Sequence, residues 1–444
     1  MNMYEYVATL IVLLVSKCVN TVSLNVDVLP CEGKPIVPSS FPKELFTSYE
    51  MVNAQVLTRH GARTTVFTLP GNGSNDDVDW MCTFGHFDAC DASPQRAFRK
   101  TYQKDVEILK GNCAEGQLTT TGSHMHMNLG NVYRERYVER LNLTFPDSVR
   151  VRATDVPRVF ASVQSNLAAM FPNTITTTGE IYTIDNAADP LANPNQICAL
   201  GMKIGKDRLE DETSKAYLES RRDEMTRILN KFNLSFDVEN FNLWQAASIP
   251  DQVYARKCSM NDSPLSLPNG ATYEDARFIF DTTAYLSYHE LNTAQMRRFS
   301  AGLLVKEMMS NIDNTIAGVE DNRFFFFSAH DTTVYPLLNA FGAWSEDETW
   351  PPFASHVELE LWRTRDSENN NRENYAVSLT YNGRVMSFFN ECNSPCPLVK
   401  LDGLLEKIIP ESRVAYDEEC VLSGNDDEKT LHSLQLARRH LNSA

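Results

Sequence analysis

The sequence predicts an α/β protein: a three-layer core on a mixed, mostly parallel sheet flanked by helices, with a mostly helical cap inserted into it. Two observations predict this. Short strand-like runs alternate with helical patterns towards both ends of the chain, while the middle is helical without strand signals. The 444 residues are 42 % hydrophobic and 22 % charged, an ordinary globular composition with ample material for a large core.

The first element is an apolar run, Val7 to Val15, preceded by Glu5 rather than a basic residue. It has the length of a signal-peptide core and is too short to span a bilayer. Cleavage is expected between Ser16 and Ser23, so residues 1–23 are assigned to a signal peptide. The α/β core is expected over 24–180 and 291–425, the helical cap over 181–290, and a polar tail over 426–444. The tail carries no ER-retention signal, and no later segment is apolar enough to be a membrane anchor, so secretion or the lumen of a lysosome-like compartment is expected.

Ala54 to Thr58 reads as a strand, and Ser148 to Arg152 as another. The run "RFFFFSAHD" has four consecutive Phe, the pattern of a strand buried on both faces. "HVELELW" alternates, with Val357, Leu359 and Leu361 on one side. Asn382-Gly383 between two apolar runs predicts a hairpin. "TDVPRVFASVQSNLAAMF" places Val159, Phe160, Val163, Leu167 and Met170 at helical spacing, with Thr154 or Asp155 as the cap. Two long stretches, from Ser214 to Phe232 and from Asp275 to Met309, read as helical without a strand between them.

The formal net charge is -17, which argues against a nucleic-acid partner and makes any cluster of arginines local. Three charged clusters follow predicted strands: Arg59-His60-Gly61-Ala62-Arg63, Arg152-Ala153-Thr154-Asp155, and His330-Asp331. In open α/β sheets ligands sit at the carboxyl ends of strands. If the three strands are neighbours, three guanidiniums and two imidazoles converge there. Arginines remain charged and offer planar bidentate donors, which suits phosphate. His60 adds what binding alone does not need, a nitrogen that can attack phosphorus. The arginines disfavour imidazolium and so keep its lone pair free in acid. Asp331 can protonate the leaving oxygen, its pKa raised by the bound phosphate.

These motifs resemble the histidine acid phosphatases, the RHGxRxP branch of the histidine phosphatase superfamily. "GQLTTTGSHMHMNLGNVYRERY", "RATDVPRVFASVQSNLAAMFP", "SAHDTTV" and "CNSPCPL" followed by Cys420 are similar to further segments of its prostatic and lysosomal members, so the likeness covers about Ala54 to Cys420. It implies an acid phosphatase acting on small phosphate monoesters through a phosphohistidine. His60 is then the nucleophile, Asp331 the proton donor, and Arg59, Arg63, Arg152 and His330 the phosphate ligands. No metal or cofactor is implied, and a homodimer is open. Thr65 stands where the family has Pro. Phytases are similar too, but commonly carry Asn where Thr333 stands. An inactive binding protein of this fold is disfavoured by the presence of all six residues.

Ten cysteines, nine without Cys18, suit an oxidising compartment. The resemblance implies the bridges Cys198–Cys420 and Cys392–Cys396. The family's third bridge would use Cys258, but His356 stands near its partner's place, which makes Cys258 the expected odd thiol. Cys82–Cys90 and Cys31–Cys113 remain by elimination. Asn72, Asn142, Asn233 and Asn261 lie in glycosylation sequons. In "HMH", His124 and His126 should diverge on a helix rather than share a metal. His86 and His289 read as structural. Tyr182, Tyr254 and Trp244 read equally well as pocket or core.

Overall fold

The computed structural model describes residues 30–35, 43–66, 78–82, 109–172, 179–192, 197–259, 267–345, 348–366 and 369–422. The expected signal peptide, the tail 426–444, Asn72, Asn261, His86 and Cys90 lie outside the described residues, as does the side chain of Trp244. Short helix α1 (Lys43–Ser48) leads into β1 (Tyr49–Arg59), and then come α2 (Thr120–Tyr133), β2 (Val149–Ala153), α3 (Pro157–Met170) and β3 (Ile181–Tyr182). Helices α4 (Ala199–Leu209), α5 (Glu212–Ser220), α6 (Arg222–Lys231), α7 (Leu243–Ser259), α8 (Tyr273–Leu291) and α9 (Ala294–Ala317) follow, without a strand among the described residues. The chain returns through β4 (Phe324–Ala329), α10 (Asp331–Ala340), β5 (His356–Thr364), β6 (Tyr375–Tyr381), β7 (Arg384–Met386), β8 (Cys396–Pro397), α11 (Leu398–Leu405) and α12 (Arg413–Glu419).

The strands form one mixed sheet in the order β3-β2-β4-β1-β5-β6-β7, with β8 on β6. β3, β2, β4 and β1 run parallel, and β5 to β8 pair antiparallel. The Phe run is β4, central in the parallel half. Phe324 and Phe326 pack with α2 and α3, while Phe325 and Phe327 pack with α9 and α10. Asn382 and Gly383 both take positive φ, 47° and 76°, as the hairpin turn between β6 and β7 requires.

Two local expectations change. α3 begins at Pro157 with Val156 as its cap, and neither Thr154 nor Asp155 caps it. The two long helical stretches each break once. Arg221 separates α5 from α6, and Asn292-Thr293 separates α8 from α9, where the Thr293 side chain accepts from Met296 N–H as a new cap. The alternation of β5 does not mark a solvated face. Glu358 and Glu360 are fully buried, Glu360 by Arg136 at 2.6 and 2.8 Å, Tyr137 and Ser378, and Glu358 by His356, Tyr133 and Thr380. Paired and hydrogen-bonded in this way, carboxylates can be buried.

The helices between β3 and β4 also build a local apolar cluster of Met225, Ile228, Leu229, Phe232, Ile249, Val253 and Ile279. It lies within the same compact unit as the sheet. Cys198–Cys420 and Cys392–Cys396 are bridged as expected. The other two pairings are not those expected. Cys82 joins Cys113, because Trp80 pairs with Gly111 and the Asn112 side chain holds both backbone polar groups of Cys82 at 2.8 and 2.9 Å. Cys31 joins Cys258, which is therefore not the odd thiol. Glu32 and Gly33 pair with Phe353, and Tyr254 on α7 stacks on the Phe353 ring, so the end of α7 meets Cys31.

The Cys31–Cys258 bridge spans 227 residues of sequence. Cys258→Ser is expected to lower the stability of the oxidised protein by about 2–5 kcal/mol, read from urea unfolding. Ready alkylation of Cys258 in the native, unreduced protein would show that the bridge does not form.

Candidate active site

The three strand ends are neighbours. Arg59 is in register with Ala329, and Ala153 with Ser328, so the loops after β1, β2 and β4 leave the sheet along one edge. The His60 N–H donates to Ala329 O at 3.0 Å, and the Thr154 N–H to Ser328 O at 3.2 Å. The Arg59–Thr65 loop lies directly on the first turn of α2. A Cβ on Gly61 would stand 2.3 Å from Gly122 O, and one on Gly122 2.1 Å from Ala62 O, so only glycines allow this approach. The Thr119 hydroxyl, which caps α2, also donates to Ala62 O at 3.0 Å.

His60 is buried, its ring 5.6 Å from that of His330 and 5.9 Å from Phe353. Its Nδ1 stands 2.8 Å from Gly61 O. A carbonyl oxygen can only accept, so Nδ1 carries the proton and Nε2 keeps the lone pair. Burial, then the charges of Arg158, Arg59 and Arg63, push its pKa well below the ordinary value of 6.5. His330 stands before α10 with Nε2 3.0 Å from the Thr154 hydroxyl. Burial and Arg158 push it down to about 3. Both shifts favour neutral imidazoles.

Asp331 opens α10. Its Oδ1 accepts from Thr332 N–H at 2.9 Å, and its Oδ2 from the Trp350 indole and from Arg59, both at 2.8 Å. Burial favours its neutral form, but Arg59 and the Trp350 N–H prevail and hold the pKa below 3.8. Arg59 lies over the Phe353 ring at 4.4 Å and donates to Pro351 O. Arg63 is held by Asp251 of α7 at 2.7 and 3.2 Å.

Arg152 is engaged elsewhere. It is in register with Phe327, on the face of the sheet that packs against α9. Its guanidinium binds Asp189 at 2.6 Å and Glu307 of α9. The third arginine beside the imidazoles is Arg158, in the first turn of α3, whose charge acts on His60 and His330. Burial and Arg63 lower its own pKa to about 9. Its Nε and those of Arg59 and Arg63 are buried without a hydrogen-bond partner among the described residues. Three crowded guanidiniums with unused donors form a site that an anion would steady.

Sequence reasoning missed Arg158, Trp350, Phe353 and Asp251. A signal existed only for Arg158. Pro157 favours the first helical position, which puts the next residue in a helix N-terminal turn at the strand end. His126 is buried at the back of the loop, within 3.1 Å of Arg59 O, with its pKa down to about 4, while His124 is exposed. The pair thus diverges as expected. His289 binds Asp211 at 2.8 Å. Tyr254 packs beside the site, and Tyr182 is exposed under Arg150.

A family model described as "Histidine phosphatase superfamily (branch 2)" matches residues 50–382. Counting factor 60 of Dictyostelium discoideum is 29% identical to the chain, covering 88% of it and 93% of its own length. Prostatic acid phosphatase of Rattus norvegicus is 27% identical over 70% of this chain and 81% of its own. Among solved structures, Hafnia alvei phytase in its apo form covers 86% of this chain and 100% of its own with a TM-score of 0.56, at 16% identity, a likeness of fold.

Proposed function

The chain belongs to branch 2 of the histidine phosphatase superfamily, and from that premise we propose that it is an acid phosphatase hydrolysing phosphate monoesters through a phosphohistidine. The observation that carries this reading is the fixed tautomer of His60: Nδ1 is committed to Gly61 O, and the nucleophilic Nε2 is left in a pocket of guanidiniums. The match to acid phosphatases supports the reaction class.

In the proposed reaction Arg59, Arg63, Arg158 and His330 bind the phosphoryl oxygens. Arg158 takes the place first given to Arg152. The lone pair of Nε2 forms a bond to phosphorus while the P–O ester bond breaks. Its electron pair stays on the leaving oxygen, which takes a proton from Asp331. Water then attacks phosphorus and gives a proton to the Asp331 carboxylate, and the P–N bond breaks to return neutral His60. Asp331 must be protonated for the first half, yet Arg59 favours its ionised form. A bound phosphate dianion competes for Arg59 and adds like charge, and both effects raise the Asp331 pKa. Substrate thus loads its own proton donor.

The test is phosphate release from phenyl phosphate between pH 4 and 7 in a chelator. No turnover by folded, oxidised protein would refute the reading. Because the His60 pKa is depressed, activity per free enzyme should persist well below pH 6.5. Arg158→Met removes a positive charge, so the His60 pKa rises and the acid limb of kcat/KM moves up towards 6.5. Its maximum should fall about 10²–10³-fold.

The four disulfides among the described residues support the proposal of a secreted or lysosome-like lumenal enzyme. Asn142 and Asn233 are exposed, and we propose both as glycosylation sites.

A further inference from the structure

Within the reading above, on which this inference rests, we infer that Asp251 selects among substrates and directs the enzyme to phosphate monoesters whose alcohol carries no second anionic group. Asp251 comes from α7, outside the sheet edge that supplies the other site residues. Its carboxylate takes an N–H from each terminal nitrogen of Arg63, at 3.2 and 2.7 Å, and Thr64 O takes another at 3.1 Å, while the buried Nε has no partner among the described residues. Its charge is also felt by Arg59 and Arg158, so it bears on all three arginines.

Neither the proton transfer nor the docking of α7 requires this group. Asp331 supplies the proton. α7 is fastened beside the site by the Cys31–Cys258 bridge and by Tyr254 stacked on Phe353, with ring centroids 5.6 Å apart. A second carboxylate opposes the binding of every phosphate alike. Beyond orienting Arg63, a charge that weakens binding of the part common to all substrates acts by discriminating among the parts that differ. The part that differs is the alcohol, and a negative charge one guanidinium away from the phosphate repels an anionic alcohol and tolerates a neutral or cationic one. α7 is held covalently, so the charge cannot swing clear as a loop would.

A matched series tests this: 2-hydroxyethyl phosphate, 2-aminoethyl phosphate and ethane-1,2-diol bisphosphate. The wild type should prefer the first two over the bisphosphate in kcat/KM by about tenfold. In Asp251→Asn, which can still accept a hydrogen bond from Arg63, that preference should disappear. Inorganic phosphate should bind this variant about tenfold more tightly by calorimetry. Asp251→Glu, which keeps the charge, should keep the wild-type preference. If Asp251→Asn lowers all three substrates by one factor and does not tighten phosphate binding, Asp251 only positions Arg63 and the inference falls. If the wild type hydrolyses none of the three, the phosphatase reading falls and takes this inference with it.

Discussion

His60→Ala is expected to abolish phosphate release, by about 10⁴-fold or more in kcat. Among the described residues, neither neighbouring imidazole can replace it. The His330 ring stands 5.6 Å away with its Nε2 on Thr154, and His126 is turned to the back of the loop at Arg59 O. An acid-labile phosphoenzyme should be trapped from the wild type after rapid quenching and be absent from the variant. Inorganic phosphate should still bind the variant, because Arg59, Arg63 and Arg158 remain. If the wild type proves as inert as His60→Ala while both bind phosphate, the protein is a binding protein on a phosphatase fold.

Asp331→Asn should divide substrates by leaving group. With alkyl phosphates, whose leaving oxygen needs a proton, kcat should drop by about 10²–10⁴-fold. With p-nitrophenyl phosphate, whose leaving group departs as a stable anion, the first half should slow far less. The second half, which needs Asp331 as base, then becomes limiting, and a burst of nitrophenol should precede slow turnover. Asn can keep the Trp350 hydrogen bond but not the charge that holds Arg59. Phosphate should therefore bind the variant at least as tightly as the wild type. Equal loss on both substrates, without a burst, would remove Asp331 from the role of proton donor.

Much of this site could be read in the chain. His60 and Asp331 each sit next to the end of a strand whose apolar run is unmistakable, so their position along the sheet edge follows from local pattern. The order of strands brings them together, and the likeness to the histidine acid phosphatases gave them roles. Arg152 and Arg158 mark where local pattern ceases to suffice. Both flank the same strand–helix junction. Strand alternation turns Arg152 to the α9 face, where Glu307 and Asp189 wait more than 30 residues away in sequence, while the first turn of α3 brings Arg158 to the imidazoles.

The cysteines divide in the same way. Cys392 and Cys396, four residues apart, are joined within a single loop, whereas Cys31 and Cys258 meet only because α7 packs over Phe353. By itself the sequence determined the α/β class, the Phe-rich central strand, the hairpin at Asn382-Gly383 and the residues of the proposed nucleophile and acid. These depend on periodicity, turn chemistry and residue type, which act over a few positions. Tertiary structure alone decided which arginine stands beside the imidazoles, that Glu358 and Glu360 are buried, and that Asp251 reaches Arg63. Each of those outcomes depends on a partner distant in the chain, and charge and burial respond to distance in space.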